Sequence, residues 1–388
     1  MPTAPVRERM WDGTSAWSVT RHDDVTAVLG DPRMVVNTVS LPGGGPDAHA
    51  ELLVKVGVAP DLAPHLSGTL THLDPPDHTR LRRLVAQALS TERVAALRPR
   101  VRALVDDLLD ALPEHAEDGA VDVVEHFASP LPIGVLCALL GVPQEGWARW
   151  RGWSRACAST SPRALNAAIG DISRAVRELA AARRKEPADD LVTGLTQARD
   201  ERGGRLDDTE LVTMVLALVI GGHETTAHLV SNGVAALLTH PEQLAKLRTD
   251  PDLMPGAVRE LLRLYGPAAT PQPRYATQDV TVGGVEIPAG ACVHARIAVA
   301  NRDPAHFPRP DALDIARTSR SSHLAYATGP HACLGEALAN QVVEVALRAL
   351  FERFPALALA VPPAQLAWKA NPVMLQLVRL PVALGQPG

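Results

Sequence analysis

Apolar residues fall on a helical period through most of the chain. Ala337, Leu338, Val342, Val343, Val345, Ala346, Leu347, Leu350 and Phe351 make one wide apolar face after Gly335. The same period predicts helices over Asp23–Leu29, Thr91–Leu112, Val121–Leu140, Pro143–Ala158, Leu165–Arg184, Asp189–Ala198 and Pro251–Tyr265. Asp207 with Glu210 three residues on is a capping-box start, and that helix should run to about Leu238. Alternation replaces the helical period in a few short stretches. Residues 16–20, Arg274–Ala276, a Gly283-Gly284 hairpin over Val280–Ile287, Val293–Ala300 and segments within 358–380 read as strands. Residues 36–72 read as irregular, and a loop that long is more often functional than idle. The fold class is mainly α with a smaller β region. No low-complexity linker divides the chain, so residues 1–388 read as one domain.

Hydrophobic residues make up 46% of the chain but aromatic ones only 3%, so the core must be mostly Leu, Val and Ala. Trp147, Trp150 and Trp153 recur at helical spacing and read as packing. A net charge of -5, from 38 basic and 43 acidic side chains, gives no drive toward nucleic acid or membrane. The longest apolar run, Met214 to Ile220, is too short to span a bilayer, and the first 20 residues lack a signal-peptide run. Cys137, Cys157, Cys292 and Cys333 are too scattered for a disulfide framework, which fits a reducing cytoplasm.

The chemistry concentrates in two places. The first is the loop His323–Gly335, with Cys333 just before a helix N-terminus. Unpaired N–H groups there favour a thiolate, and Gly335 lets backbone come near the sulfur. A zinc site is excluded because no second Cys lies at ligand spacing, and C-x-x-C-H is absent. The second is Gly221-Gly222-His223-Glu224-Thr225 in the long helix. Two interior glycines cost about 1 kcal/mol each against Ala, so the helix needs room there. Gly221 and Thr225 share a face, and Glu224 stands beside the hydroxyl. His223 reads as a bystander.

Together these stretches resemble the cytochrome P450 family. The resemblance runs from Asp23 to Leu380 and implies that fold, with the long central helix over a haem b. It implies that Cys333 is the axial ligand of the haem iron. It implies that Gly221 makes room for the haem, Thr225 hydrogen-bonds dioxygen and Glu224 helps deliver protons. The haem propionates would meet His78 and Arg82, spaced i,i+4, together with Arg274 and His331. Glu260 and Arg263 match the family's structural E-x-x-R pair. Its second arginine is Arg317, or Arg320 as the runner-up. Three departures stand out: Tyr326 where the family usually has Phe, Ala327 where it has Gly, and Val342 where it has Glu.

The implied activity is a monooxygenase that hydroxylates or epoxidises a bulky apolar small molecule, such as a polyketide or terpenoid secondary metabolite. Dioxygen is the co-substrate. The electrons come from an external ferredoxin with its NAD(P)H-dependent reductase, docked by a basic patch at Arg80 and Arg83. Arg93, Arg98, Arg100 and Arg102 also read as solvent-facing. Ile220, Ala268, Ala269, Thr270, Val373 and Met374 are the candidate substrate contacts. Oxidative coupling without oxygen insertion is the alternative, and a non-catalytic haem sensor a remoter one.

Overall fold

A computed structural model describes residues 3–9, 13–157, 159, 161–318, 321–371 and 373–385. Its axis is the helix Asp208–Thr239, closed at its start by the reciprocal Asp207–Glu210 capping box. Both flanks of this helix are buried on nearly every side. Only a stripe near its middle, including Ala217, Gly221 and Thr225, stays open. That stripe follows the i, i+4, i+8 spacing of one helix face, so it looks into a cleft. Around the other faces pack Pro130–Leu140, Pro162–Lys185, Met254–Tyr265 and Glu336–Arg353. Their apolar residues join one continuous core of Leu, Val, Ile and Ala with few rings.

The β region lies to one side. Five strands run in the order Val6–Arg9, Ser15–Val19, Cys292–Ala295, Arg274–Ala276, Met34–Val35. Ser15–Val19 and Cys292–Ala295 are parallel, with Trp17 opposite Val293, and the other pairings are antiparallel. Helix His22–Gly30 packs on this sheet through Val25, Val28 and Leu29 to make a second, smaller core. The Val280–Ile287 hairpin forms with Gly283 and Gly284 in its turn, both at positive φ.

Four expectations need correction. Residues 36–72 are not wholly irregular: Ala48–Lys55 and Ala63–Ser67 are helical, and Asp47 caps the first through the N–H groups of His49 and Ala50. Thr91–Leu112 is two helices, Thr91–Ala96 and Arg98–Ala111, parted at Leu97 before Pro99. Val121–Leu140 starts as a short strand and a wide helical turn before the α-helix at Pro130. Cys292–Ala295 is a strand, but Ile297–Ala300 turns helical, because the strand ends where Arg296 donates its N–H to Val19. In Pro130–Leu140 the apolar run is buried on nearly every side, which erases the period that would tell helix from strand.

Candidate active site

The cysteine loop is pinned at both ends. Leu324 N–H donates to Asn301 Oδ1 at 2.7 Å, and Cys333 N–H donates to the Tyr326 carbonyl at 2.9 Å. Ala327 sits in the left-handed region, φ 57°, where the family has glycine. The backbone keeps its shape there at a local cost of about 1 kcal/mol. Gly329, φ 74°, is required twice over, since a Cβ would come 2.6 Å from the Leu29 carbonyl oxygen. Tyr326 gives its added hydroxyl to Asn340 Oδ1 at 2.7 Å. Burial, then the nearby Cys333, raises the pKa of that phenol. Val342 is 2% exposed within the main core, which accounts for an apolar residue in place of Glu.

Cys333 opens the turn before helix Glu336–Arg353, and the Gly335 and Glu336 N–H groups point at its sulfur. Its side chain is solvent-accessible. Surrounding protein is still the strongest influence on the thiol and raises its pKa, against those N–H groups and Arg82. The expected stabilised thiolate is therefore not a property of the polypeptide alone. Nor does the sulfur require a glycine at 335, where a Cβ would lie at an ordinary 3.9 Å.

His78, Arg82, Arg274 and His331 converge beside this loop. The His78 and His331 rings are 4.2 Å apart. Arg82 Nη2 donates to the Ala332 carbonyl at 2.7 Å, and Arg274 Nη1 to that of Gln272 at 2.8 Å. His78 is 1% exposed and Arg274 2%. Burial pulls His331 down to about 3, helped by Arg274 and then His78. It pulls Arg274 down to about 10 and also lowers His78 and Arg82. Among the described residues none of the four makes an ion pair. The nearest acid, Asp74, spends its carboxylate on the N–H groups of Val36 and Asn37. His78 Nε2 is buried without a partner. Two arginines and two imidazoles, all buried or half-buried donors beside one cysteine, fit a doubly anionic, metal-bearing group such as haem.

Across the cleft, Gly221 faces open space, whereas Gly222 packs on Leu136. Only the first glycine makes room. Thr225 Oγ1 donates to the Gly221 carbonyl at 2.5 Å. Sequence reasoning missed His228, one turn after Glu224 and 3.2 Å from its Oε2. That contact is the main reason the Glu224 pKa is lowered, against burial. The i,i+4 spacing was the available signal. His223 is no bystander: it is wholly buried, bonded to Ser154 Oγ at 2.6 Å and to the Ser129 carbonyl at 2.9 Å. It fastens the central helix to both neighbours.

The candidate substrate residues come together in part. Ala268 bridges Met374, and Ala269 N–H donates to the Val373 carbonyl at 2.9 Å. Asn232 Nδ2 on the central helix donates to Tyr265 and Leu375 carbonyls at 3.0 and 3.1 Å, so both segments are anchored to it. Ile220, Ala268, Ala269 and Met374 are half-buried and Val373 is exposed. Thr270, only 8% exposed, is withdrawn from the surface.

Glu260 and Arg263 form a buried two-point pair, both contacts 2.8 Å. Arg317 Nε reaches the same carboxylate at 2.9 and 3.0 Å. Arg320 lies outside the described residues. The proposed docking arginines are corrected. Arg80 pairs with Glu210 and Arg83 with Glu201, so neither offers an uncompensated charge.

A family profile for Cytochrome P450 matches residues 158–365. Cytochrome P450 107B1 of Saccharopolyspora erythraea is 41% identical over 98% of this chain and 92% of its own length. The 6-deoxyerythronolide B hydroxylase of the same organism is 38% identical over 98% and 93%. A solved structure of a mutant of the mixed-function P450 MycG, in complex with mycinamicin IV, superposes with a TM-score of 0.87 at 37% identity, covering 98% of this chain and 93% of that one. The chain belongs to the cytochrome P450 family. It is a haem-dependent monooxygenase of bacterial secondary-metabolite type, using dioxygen. No helix among the described residues is long and apolar enough to cross a membrane.

Proposed function

We propose that this enzyme inserts an oxygen atom from dioxygen into a macrolide-like or other polyketide-derived substrate. The observation that carries the site assignment is the group of His78, Arg82, Arg274 and His331 beside Cys333, two of them buried and none in an ion pair among the described residues. On this reading the four donors hold the two haem propionates, and Cys333 binds the iron. The haem, once bound, supplies dioxygen activation. The polypeptide does the rest. Glu224, kept ionised by His228, collects protons, and its neighbour Thr225 presents them to the cleft through a hydroxyl now given to Gly221. The aliphatic wall at Ile220, Ala268, Ala269 and Met374 excludes water and seats an apolar skeleton.

The named substrates of the relatives, 6-deoxyerythronolide B and mycinamicin IV, support the substrate class. An external ferredoxin, with its reductase, is the proposed electron donor. Its footprint does not rest on Arg80 and Arg83. The test is a ligand screen on the haem-loaded chain, read by the Soret band, followed by turnover under labelled dioxygen. Macrolactones should shift the band and leave with one labelled oxygen. A band that answers only small charged ligands would overturn the substrate class, and unlabelled coupled products would overturn oxygen insertion. Cys333→Ser should abolish the red-shifted carbon monoxide band of the reduced protein.

A further inference from the structure

A second cluster of chemically capable side chains lies away from the cleft. His22 and Asp23 open the helix His22–Gly30. His306 belongs to the loop that leads on to the cysteine loop. One ligand atom from each of the three lies within 4.8 Å of the others. Asp23 Oδ1 is 3.0 Å from His306 Nε2, and the two imidazoles stack with centroids 4.2 Å apart.

The other nitrogen of each ring is held by one short segment. His22 Nε2 meets the Ser322 carbonyl at 2.9 Å, and His306 Nδ1 meets Ser321 Oγ at 2.8 Å. A carbonyl only accepts, so His22 Nε2 carries the hydrogen and Nδ1 keeps a lone pair. That Nδ1 is buried with no hydrogen-bond partner, in a side chain 8% exposed. A buried, unused lone pair costs stability. A ring N–H tied to a backbone carbonyl is also the way metal-binding histidines are oriented.

We propose that His22, Asp23 and His306 form a site for a divalent transition cation, with zinc the best match and water completing the shell. Two imidazoles and one carboxylate suit zinc rather than calcium or magnesium, which prefer all-oxygen sets. The Asp23 side chain is 84% exposed, so the ion enters from solvent on that side. Ligand distances of about 2.0–2.2 Å require the stacked rings to open slightly toward the ion. The bound ion would clasp the first helix to the approach of the cysteine loop, since Ser321 and Ser322 immediately precede His323.

The test uses the haem-loaded full chain, treated with chelator and then titrated with zinc ions by calorimetry and equilibrium dialysis. One equivalent should bind at micromolar zinc or tighter and raise the thermal midpoint. His306→Ala should remove both effects and leave the Soret band intact, since the His306 side chain is partly exposed. His22→Ala should do the same, and Asp23→Asn should weaken binding at least tenfold. The proposal fails if no stoichiometric zinc binds. It fails equally if the bound equivalent survives His306→Ala, which would place the ion elsewhere, for example at the stacked His115 and His126.

Discussion

Two buried charge clusters flank the cysteine loop, and they are built on opposite principles. In the first, Glu260 sits between Arg263 and Arg317, and both arginines also donate through their Nη atoms to backbone carbonyls, including those of Asn301, Pro310 and Ala312. In the second, His78, Arg82, Arg274 and His331 gather without a carboxylate partner among the described residues. The first is complete in the polypeptide and holds the chain's own shape. The second costs the polypeptide stability and becomes favourable only when an anionic group arrives. A buried ion pair supports a fold, whereas a gathering of hydrogen-bond donors with no acid partner marks where an anionic group can bind.

The largest effect should come from breaking the complete cluster. Glu260→Ala strands two buried guanidinium groups and should cost about 3–5 kcal/mol, read by denaturant unfolding. The incomplete cluster should respond with the opposite sign. Arg274→Leu removes an unpaired buried charge, so the haem-free protein should gain about 1–4 kcal/mol. Its haem should nevertheless leave at least tenfold faster, about 1.4 kcal/mol in binding, as followed by transfer to an acceptor globin. If Arg274→Leu destabilised the haem-free chain as Glu260→Ala does, the contrast between the clusters would be lost.

Acid titration sharpens the comparison. His331 falls from 6.5 to about 3 on folding, and burial is the leading cause. Above pH 6.5 both the folded and unfolded forms are neutral, and the group is silent. Between pH 6.5 and about 3 the unfolded chain takes up a proton that the folded one refuses. The haem-free protein should therefore lose stability as pH falls through that window, at up to about 1.4 kcal/mol per unit. Haem should flatten this slope, because propionates let the imidazoles accept protons. Equal slopes with and without haem would break the assignment. The smallest effect concerns the loop between the clusters. Ala327→Gly relieves a left-handed alanine and should gain under about 1 kcal/mol by thermal melting, part of the relief being offset by glycine's freer unfolded state.

The site was legible to different depths. Cys333, Gly221, Glu224 and Thr225 stood out as candidates because turn residues, a cap and i,i+4 spacing are local. Arg317 could be read from its order in the chain, and the structure brings it to Glu260 across 57 positions. His228 was missed although its spacing to Glu224 is local, because a helical histidine beside an acid also occurs on ordinary surfaces. The pairing of Arg80 with Glu210 and of Arg83 with Glu201 spans more than a hundred residues and carries no periodic signal.

By itself the sequence determined the helical frame, the central helix with its capped start and the cysteine loop. It could do so because capping, turn chemistry and amphipathic period act within about one helical turn. The tertiary structure decided which charges find partners beyond their own helical turn, as at Arg80 and Arg83. Whether a buried arginine is neutralised depends on what folding brings against it from distant segments. At Arg317 folding brought the Glu260 carboxylate across 57 positions, and at Arg274 it brought none among the described residues.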